Sequence, residues 1–325
     1  MKAIQIQKTG SFDSLELVDV NTPIPNESQV LVRMKAASVN FADTMLRKGT
    51  YPVMPALPTI PGLEGSGIVE KVGRKVLHIN PGQPVIVFTS HCYAEYVVAE
   101  AESVFPISEG INLDEAATLS VAYLTAYHLL HTMTPISSGQ TILVHAAAGG
   151  VGTALAQLAK PLGIRLIGVT SSSEKAQYAK IQGFHHLITE GDNLVQQVRD
   201  LTKGKGVDLI FNSVAGQTLG QDIEMLGHFG QVVWYGFAGG EPEGNLTEQL
   251  FPHLGRSVGI RFFSLFSIIQ ADGWLMKTSI TTLVKDLAEK RIQPQIFERI
   301  PLEEAARAHK LLESRAVMGK IILQP

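Results

Sequence analysis

A glycine-rich segment, His-Ala-Ala-Ala-Gly-Gly-Val-Gly at 145–152, follows a short apolar strand and leads into a predicted helix. Ala147, Gly149 and Gly152 have the G-x-G-x-x-G spacing of dinucleotide-binding turns, with alanine in the first glycine position. The second glycine lets the backbone approach a pyrophosphate, and the third lets the helix pack against the strand. The alternative is a tight turn without a ligand. We predict that the cofactor-binding residues here are Ala148, Gly149, Gly150, Val151 and Gly152.

The end of the next predicted strand indicates which dinucleotide is favoured. An NAD-selective site usually has Asp or Glu there, to bind the ribose 2′-hydroxyl. This strand is followed instead by Ser171, Ser172 and Lys175. Because hydroxyl donors and a cation suit a 2′-phosphate, these residues predict a preference for NADPH. Ser171 and Glu174 also have the spacing of a helix capping box, and the two interpretations are compatible.

Composition limits the class of protein. The 325 residues are 45% hydrophobic, enough for about two domains with sizeable cores. The net charge of −3 offers no broad basic surface for nucleic acid or an anionic membrane. The polar N-terminal residues do not resemble a signal peptide, no apolar run is long enough to span a membrane, and a single cysteine suits a reducing compartment. We therefore expect a cytoplasmic protein without nucleic-acid or membrane partners.

Two kinds of sequence pattern divide the chain into regions. Short apolar runs broken by prolines and glycines predict an irregular, mostly antiparallel, barrel-like domain from 1–120 and again from 294–325. Between them, 121–293 alternates strands with helices, which predicts a doubly wound parallel sheet with ligands at the carboxyl ends of its strands. The predicted strands lie at 141–145, 165–169, 186–188, 207–212, 231–235 and 259–263, and the predicted helices at 150–162, 173–182, 194–202, 218–226 and 273–290.

Four segments carry a resemblance to a known family: ASVNFADTMLRKGTYP at 37–52, IPGLEGSGIV at 60–69, VHAAAGGVG at 144–152 and LESRA at 312–316. In combination they resemble the zinc-independent, zeta-crystallin-like quinone oxidoreductases of the medium-chain dehydrogenase/reductase superfamily, over nearly the whole chain. The resemblance implies an α/β fold in which a Rossmann domain joins a GroES-like, mostly antiparallel β catalytic domain. It also implies NADPH-dependent reduction of a quinone in the interdomain cleft.

By the same resemblance, Asn40, Asp43 and Tyr51 surround the nicotinamide and the substrate. Asn40 would orient the carboxamide or the ribose through its amide group. Tyr51 would stack on a planar acceptor or donate its hydroxyl to a developing oxyanion, unless it is only a loop residue. Asp43 has an equally simple alternative, which is to cap the short helix that follows it.

Further cofactor contacts are implied along the rest of the chain. Asn212, Gly236 and Phe237 follow predicted parallel strands, where this fold binds its ligands. Thr125 matches a position that commonly contacts the nicotinamide side. Arg315 matches an arginine that in relatives reaches the 2′-phosphate, and its alternative is a solvated cation at a helix end.

We do not expect this protein to bind zinc. Zinc-dependent relatives bind the metal with a cysteine, the histidine of a Gly-His-Glu segment and a further ligand. Here 62–64 reads Gly-Leu-Glu, and the cysteine region at 38–43 reads Ser-Val-Asn-Phe-Ala-Asp. Cys92 alone cannot form a four-cysteine structural site, and we expect it to be a small buried hydrophobe. Without a Lewis acid, hydrogen bonds and positioning must activate the carbonyl.

Two other functions remain open. Reduction of an enoyl or α,β-unsaturated carbonyl group shares this scaffold but needs a proton delivered to carbon, a task for Tyr51. A reduced quinone takes its protons readily from water. The third hypothesis is a non-catalytic NADPH-binding protein, crystallin-like or RNA-binding, although the charge argues against RNA. Relatives commonly form homodimers, and the segments 240–254 and 260–269 would supply the interface.

Overall fold

The computed structural model describes residues 1–191 and 193–325, and the chain divides into two compact units. The first unit comprises Met1–Leu124 and Asp272–Pro325, and the second comprises Thr125–Ala271. The first unit is therefore discontinuous, with the second unit inserted within it.

The C-terminal division differs from the predicted boundary. Residues 272–293 belong to the first unit, whereas the sequence assigned them to the dinucleotide-binding domain. The physical reason is the helix Gly273–Ala288, which packs against two elements of the first unit, the strand Val104–Pro106 and the helical turn Leu119–Tyr123. Its buried side chains include Met276, Ile280 and Leu283. Burial of this apolar face, which chain position alone does not reveal, places the helix.

Strands and helices are numbered separately in chain order. The strands are β1 Lys2–Gln5, β2 Glu16–Asp19, β3 Gln29–Ser38, β4 Glu64–Val72, β5 Pro84–Phe88, β6 Tyr96–Glu100, β7 Val104–Pro106, β8 Thr141–Val144, β9 Arg165–Thr170, β10 His186–Thr189, β11 Val207–Asn212, β12 Leu226–Trp234, β13 Gly259–Phe262, β14 Ile296–Pro301 and β15 Lys320–Gln324. The helices are α1 Phe41–Lys48, α2 Leu113–Ala116, α3 Leu124–His131, α4 Gly150–Ala159, α5 Ser173–Gln182, α6 Leu194–Leu201, α7 Thr218–Met225, α8 Leu246–Leu250, α9 Leu265–Ala271, α10 Gly273–Ala288 and α11 Ala305–Glu313. A π-helical turn, Leu119–Tyr123, precedes α3.

The first unit is built on a mostly antiparallel sheet, as predicted. Its strands run in the order β14-β15-β3-β4-β5-β7, β6 also pairs with β3, and only the β14–β15 pair is parallel. The central strand β3 has β4 on one side and β15 on the other. Ala37 lies opposite Gly65, and Ser38 lies opposite Ile322. This register brings together residues that are far apart in sequence.

The second unit is a parallel sheet in the order β10-β9-β8-β11-β12-β13, which confirms the predicted Rossmann-type architecture. Its central strands are apolar on both faces because helices cover both sides, and Leu143, Ile167 and Ile210 are fully buried. Two predicted bounds shift. The helix predicted for 150–162 ends at Ala159 and continues as a 3-10 turn that contains Pro161, which lacks a backbone donor.

The second shift lengthens a strand. The strand predicted for 231–235 begins at Leu226, because Leu226 pairs with Val207 across an irregularity in the ladder. Within the part of the chain that the structure describes, no helix is both long enough and apolar enough to cross a membrane.

Candidate functional site

The first candidate site begins at the N-terminus of α1. Asn40 is the N-cap residue, and its backbone N–H donates to Oδ2 of Asp43 at 2.8 Å. Asp43 is only 2% exposed. Asp43 is therefore not the N-cap of a helix that follows it, as the predicted alternative had it, because α1 already begins at Phe41 and Asp43 is its third residue, where it completes a capping box with Asn40. The same contact holds the Asp43 carboxyl group in the interior beside Asn40.

The Asn40 side chain lies in a buried cluster that the sequence did not predict. Its Nδ2 donates to Oε1 of Glu64 at 3.0 Å, and its Oδ1 accepts from Nζ of Lys320 at 2.6 Å. The ammonium group of Lys320 also donates to the carbonyl oxygen of Val39 and lies 3.3 Å from Glu64 Oε1. The other oxygen of Glu64 accepts the N–H of Val121 at 2.7 Å. This cluster therefore pairs one buried carboxylate with one buried cation.

The topology explains why these groups meet. Glu64 begins β4 and Lys320 begins β15, and both strands flank the end of β3, just before Asn40. The sequence offered one signal that Glu64 and Lys320 belong to a site: each is a charged residue at the end of a largely apolar strand. The signal is weak, because many such residues point to solvent.

A second set of contacts leads away from Asp43. Its Oδ2 accepts from the hydroxyl of Tyr93 at 3.1 Å, and the Tyr93 oxygen lies 3.3 Å from Nε2 of His309. Since the tyrosine proton points to Asp43, the histidine is the donor of the second contact. Burial raises the pKa of Asp43 to about 6, well above that of an ordinary carboxyl group, while burial and the nearby cations of Arg47 and Lys48 lower the pKa of His309 to about 3.

Tyr51 lies in the loop after α1 and is half-buried. Burial and, secondarily, the charge of Asp43 raise the pKa of its hydroxyl group. A tyrosine is protonated near neutral pH even without this shift, so Tyr51 can donate a hydrogen bond. Of the predicted catalytic residues, Asn40 and Asp43 are in direct contact, and Tyr51 is close enough for its pKa to respond to Asp43.

The donor set here does not fit a zinc ion. Glu64 is the acid of the 62–64 segment, and its carboxylate is paired with the ammonium of Lys320. Cys92 is fully buried, donates to the carbonyl oxygen of Thr89, and burial raises the pKa of its thiol well above the usual value. A thiol that holds its proton is a poor metal ligand. Among the described residues, no group of three His, Cys, Asp or Glu side chains is arranged to hold a metal.

The second candidate site is the turn between β8 and α4. Gly149 is the N-cap of α4, and Ala147 donates its N–H to the carbonyl oxygen of Val169 at 3.0 Å. At Gly152, a Cβ atom would lie 2.5 Å from the carbonyl oxygen of Ala147. Only glycine fits there, as the motif predicts, and the first backbone N–H groups of α4 have no acceptor in a preceding turn of the helix.

The end of β9 corrects one predicted cap. Ser172, and not Ser171, is the N-cap of α5, and its Oγ accepts the N–H of Lys175 at 3.3 Å. Glu174 is consequently at the second helical position and forms no capping box. Ser171 is exposed. A serine hydroxyl can accept one hydrogen bond and donate another, so Ser172 can cap α5 and still bind a phosphate.

The remaining predicted contacts are placed as follows. Thr125 lies in α3 and is 7% exposed, and Asn212 ends β11 and is fully buried. Gly236 and Phe237 follow β12 and are half-buried. Arg315 is an exposed residue after α11 with a φ of 60°, a left-handed conformation typical of helix ends.

Comparison with known proteins agrees with this architecture. Residues 26–109 match the family described as the alcohol dehydrogenase GroES-like domain, and residues 150–271 match the family described as zinc-binding dehydrogenase. These families define the class of the fold, the medium-chain dehydrogenases/reductases. The zinc in the second description has no matching donor set among the described residues of this chain.

Individual relatives narrow the class. A quinone oxidoreductase of Mus musculus is 31% identical over 99% of this chain and 97% of its own length. Quinone oxidoreductase 1 of Escherichia coli is 32% identical, covering 99% of both chains. The crystal structure of an Escherichia coli quinone oxidoreductase complexed with NADPH is 32% identical, covers 100% of both chains and has a TM-score of 0.94. The chain therefore belongs to the quinone oxidoreductase family of the medium-chain dehydrogenases/reductases.

Proposed function

We propose that this protein reduces a quinone at the expense of NADPH and without zinc. The observation that supports cofactor binding is the shape of the β8–α4 turn. A Cβ atom at Gly152 would clash with the carbonyl oxygen of Ala147, and the N-terminus of α4 presents backbone N–H groups that can bind a phosphate. The family supports the quinone, since relatives over the whole chain length are quinone oxidoreductases. The nicotinamide of NADPH supplies the hydride when it is bound.

Two groups of the predicted residues would hold the phosphates of the cofactor. The turn from Ala148 to Gly152 would bind the pyrophosphate. Ser171, Ser172 and Lys175 would bind the 2′-phosphate, to which hydroxyl and ammonium donors are complementary. The predicted roles of Thr125, Gly236, Phe237 and Arg315, and the predicted location of the site between the two domains, stay predictions.

The first unit would orient the acceptor and stabilise developing negative charge. Tyr51, like any tyrosine near neutral pH, is protonated and can donate to a reduced oxygen; burial raises the pKa of its hydroxyl group further. Asp43, with a pKa of about 6, exists in both protonation states near neutral pH. The ammonium of Lys320 supplies fixed positive charge beside Asn40, where no zinc ion is needed to balance Glu64.

One turnover screen tests this function. NADPH oxidation is followed with quinones, enals and enoyl thioesters in parallel, before and after prolonged treatment with a chelator. We expect quinones to be the fastest acceptors and the rates to survive chelation. Rates that vanish with the chelator and return with zinc would contradict the assignment.

The same screen separates the second candidate, enoyl reduction, for which the Tyr51 hydroxyl group, half-buried near Asp43, would be the proton donor. For a quinone, Tyr51→Phe keeps the ring and should lower the rate only modestly. If Tyr51 protonates carbon in an enoyl substrate, the same substitution should cost about 10²–10⁴-fold in rate. A wild-type protein that is fast on enoyl substrates and crippled by Tyr51→Phe would replace the quinone proposal.

A homodimer is also proposed, because β13 is an edge strand of the parallel sheet and exposed apolar side chains lie on it and before it. Phe262 is 51% exposed, and Phe251 and Leu254 are each 74% exposed. Light scattering coupled to size-exclusion chromatography measures the mass directly, and a mass of one chain would contradict the dimer.

A further inference from the structure

Three buried polar side chains connect the glycine-rich turn of the second unit to the loop after β11. His145 follows β8, and its Nε2 lies 2.7 Å from Oδ1 of Asp222 in α7. Asn212 ends β11, and its Nδ2 donates to Oδ2 of the same carboxylate. All three residues are at most 2% exposed. We call them the His145–Asp222–Asn212 network.

Asn212 uses its whole hydrogen-bonding capacity inside the protein. Its Oδ1 accepts the N–H groups of Val214 and Ala215 at 2.7 and 2.8 Å. Its Nδ2 donates to Asp222 and to Oγ1 of Thr218. An amide side chain has two donors and one oxygen with two lone pairs, so the Asn212 side chain retains no capacity for the predicted contact with a cofactor.

The network lies beside two alanines in the left-handed conformation. Ala146 directly follows His145 with a φ of 51°, and Ala215, held by Asn212, has a φ of 58°. Residues with a Cβ adopt this conformation only where their surroundings enforce it. The backbone N–H of His145 also donates to the carbonyl oxygen of Phe211, next to Asn212. The residue at the start of the glycine-rich turn, His145, and the residue that holds the loop at 214–215, Asn212, therefore meet at the single carboxylate of Asp222.

We propose that the His145–Asp222–Asn212 network positions the glycine-rich turn in its cofactor-binding shape before the cofactor arrives. The ligand in this proposal, NADPH, rests on the proposed function. A carboxylate only accepts hydrogen bonds, so His145 and Asn212 both donate to Asp222 and fix its orientation. A turn that is already ordered loses less conformational entropy on binding, which raises affinity. The three residues are positioning residues, not catalytic ones.

An exchange of the amide and the carboxylate tests this complementarity. Asp222→Asn places an amide donor against Asn212 or against His145, and Asn212→Asp places two carboxylates face to face. The double variant Asn212→Asp/Asp222→Asn restores a donor and an acceptor at that contact. The new amide oxygen at position 222 can still accept from His145.

Two readouts follow the turn directly. In the cofactor-free protein, Asp222→Asn should speed deuterium exchange of the amides in 146–153 by about tenfold, the equivalent of one lost buried hydrogen bond. The Kd for NADPH, titrated by nucleotide fluorescence, should rise by about the same factor. The double variant should bring both quantities back to within about threefold of wild type.

Gln182→Met is the matched control, because it breaks a buried pair in the same unit, Gln157 Nε2 to Gln182 Oε1 at 2.9 Å, away from the turn. It should lower Tm without changing turn exchange or the Kd. The proposal is overturned if Asp222→Asn lowers Tm but leaves turn exchange unchanged, or if the double variant regains Tm without regaining turn protection.

Should the Asp222→Asn chain fail to fold, His145→Gln, which keeps a donor near the Nε2 position, is compared with His145→Leu, which removes it. Faster turn exchange in the leucine variant alone supports the network, and equal exchange in the two variants overturns it. Exchange is measured without NADPH, so a wild-type protein that does not bind NADPH would contradict the proposed function while exchange still decides the network.

Discussion

The candidate site of the first unit is made of ionisable side chains, whereas that of the second unit is made chiefly of backbone. Asp43, Glu64 and Lys320 are 2%, 0% and 6% exposed, and they meet from three distant segments. The β8–α4 turn lies within one short segment and offers N–H groups and glycines. The first site depends on the pairing of charges and the second on the shape of a turn. Altered charge should therefore damage the first unit most, and added volume the second.

Lys320→Met should have the largest effect. It leaves the buried carboxylate of Glu64 without its cation, and loss of one partner of a buried ion pair typically costs about 3–5 kcal/mol. We expect the free energy of unfolding to fall by about that amount in urea titrations. The double variant Glu64→Gln/Lys320→Met should recover part of the loss, because the new amide oxygen at position 64 can still accept the N–H of Val121. A loss as small as that of a surface ion pair would show that the charge pairing is unimportant.

Asp43→Asn tests the same unit through pH. Burial raises the pKa of Asp43 from 3.8 to about 6, so the folded state holds this proton more tightly than the unfolded state. Asp43 therefore contributes stability below about pH 4 that is lost as pH rises through about 6, amounting to roughly 3 kcal/mol. The asparagine variant, which does not titrate, should gain stability relative to wild type between pH 4 and 7.

His309 has the opposite effect on the pH dependence of stability. Its pKa is lowered to about 3, so its contribution is present above about pH 6.5 and is lost as pH falls towards 3. The wild-type stability profile should therefore be flatter between pH 4 and 6 than that of Asp43→Asn, as measured by urea unfolding at each pH. Asp13→Asn, at an exposed carboxyl group, is the control and should keep the wild-type profile. Parallel profiles for wild type and Asp43→Asn would contradict the shift.

Gly152→Ala examines the second unit by adding one methyl group. The Cβ atom would lie 2.5 Å from the carbonyl oxygen of Ala147, so the turn must move, at a cost of about 1–3 kcal/mol. We expect a lower Tm and weaker binding of NADPH in fluorescence titrations. Gly255→Ala is the matched control, because its Cβ would meet nothing within 4 Å. Similar behaviour of the two variants would refute the argument from shape.

Lys175→Ala should have the smallest effect, because it removes one cationic side chain from a site otherwise made mainly of backbone and hydroxyl groups, where Arg315 is also predicted to reach the 2′-phosphate. The ratio of NADPH to NADH affinity should fall by about tenfold, the lower end for a charge-assisted hydrogen bond, since Lys175 is half-buried. Lys180→Ala, at the other end of α5, should leave the ratio unchanged. An unchanged ratio in Lys175→Ala would place the selectivity elsewhere.

The sequence predicted the second unit better than the first. The succession of strands from β8 to β13 and most of their bounds follow from local patterns, namely apolar runs, helix periodicity and glycines, although β12 begins five residues before its predicted start. Even there, the cap of α5 moved by one residue, from Ser171 to Ser172, because neighbouring serines are equally good caps.

The first unit shows what local patterns cannot supply. Asn40 and Asp43 were predicted through the family resemblance, but Glu64, Tyr93 and Lys320 were not. Their proximity depends on the strand order β15-β3-β4 and on long loops, which no periodicity encodes. The boundary near residue 272 was also missed, because the sequence shows that α10 is a helix but not which surface covers it.

The position of β15 has a consequence for the order in which the protein can be made. Lys320 reaches Asn40 across 280 positions of the chain, so a ribosome must synthesise the whole second unit before the ammonium group appears. The second unit is contiguous, and it can fold while the polypeptide is still being extended. Until β15 emerges, the nascent first unit has an open sheet edge at β3 and a carboxylate at Glu64 without its cation. Chaperones that shield unpaired strands should therefore bind the N-terminal segment until β15 has emerged.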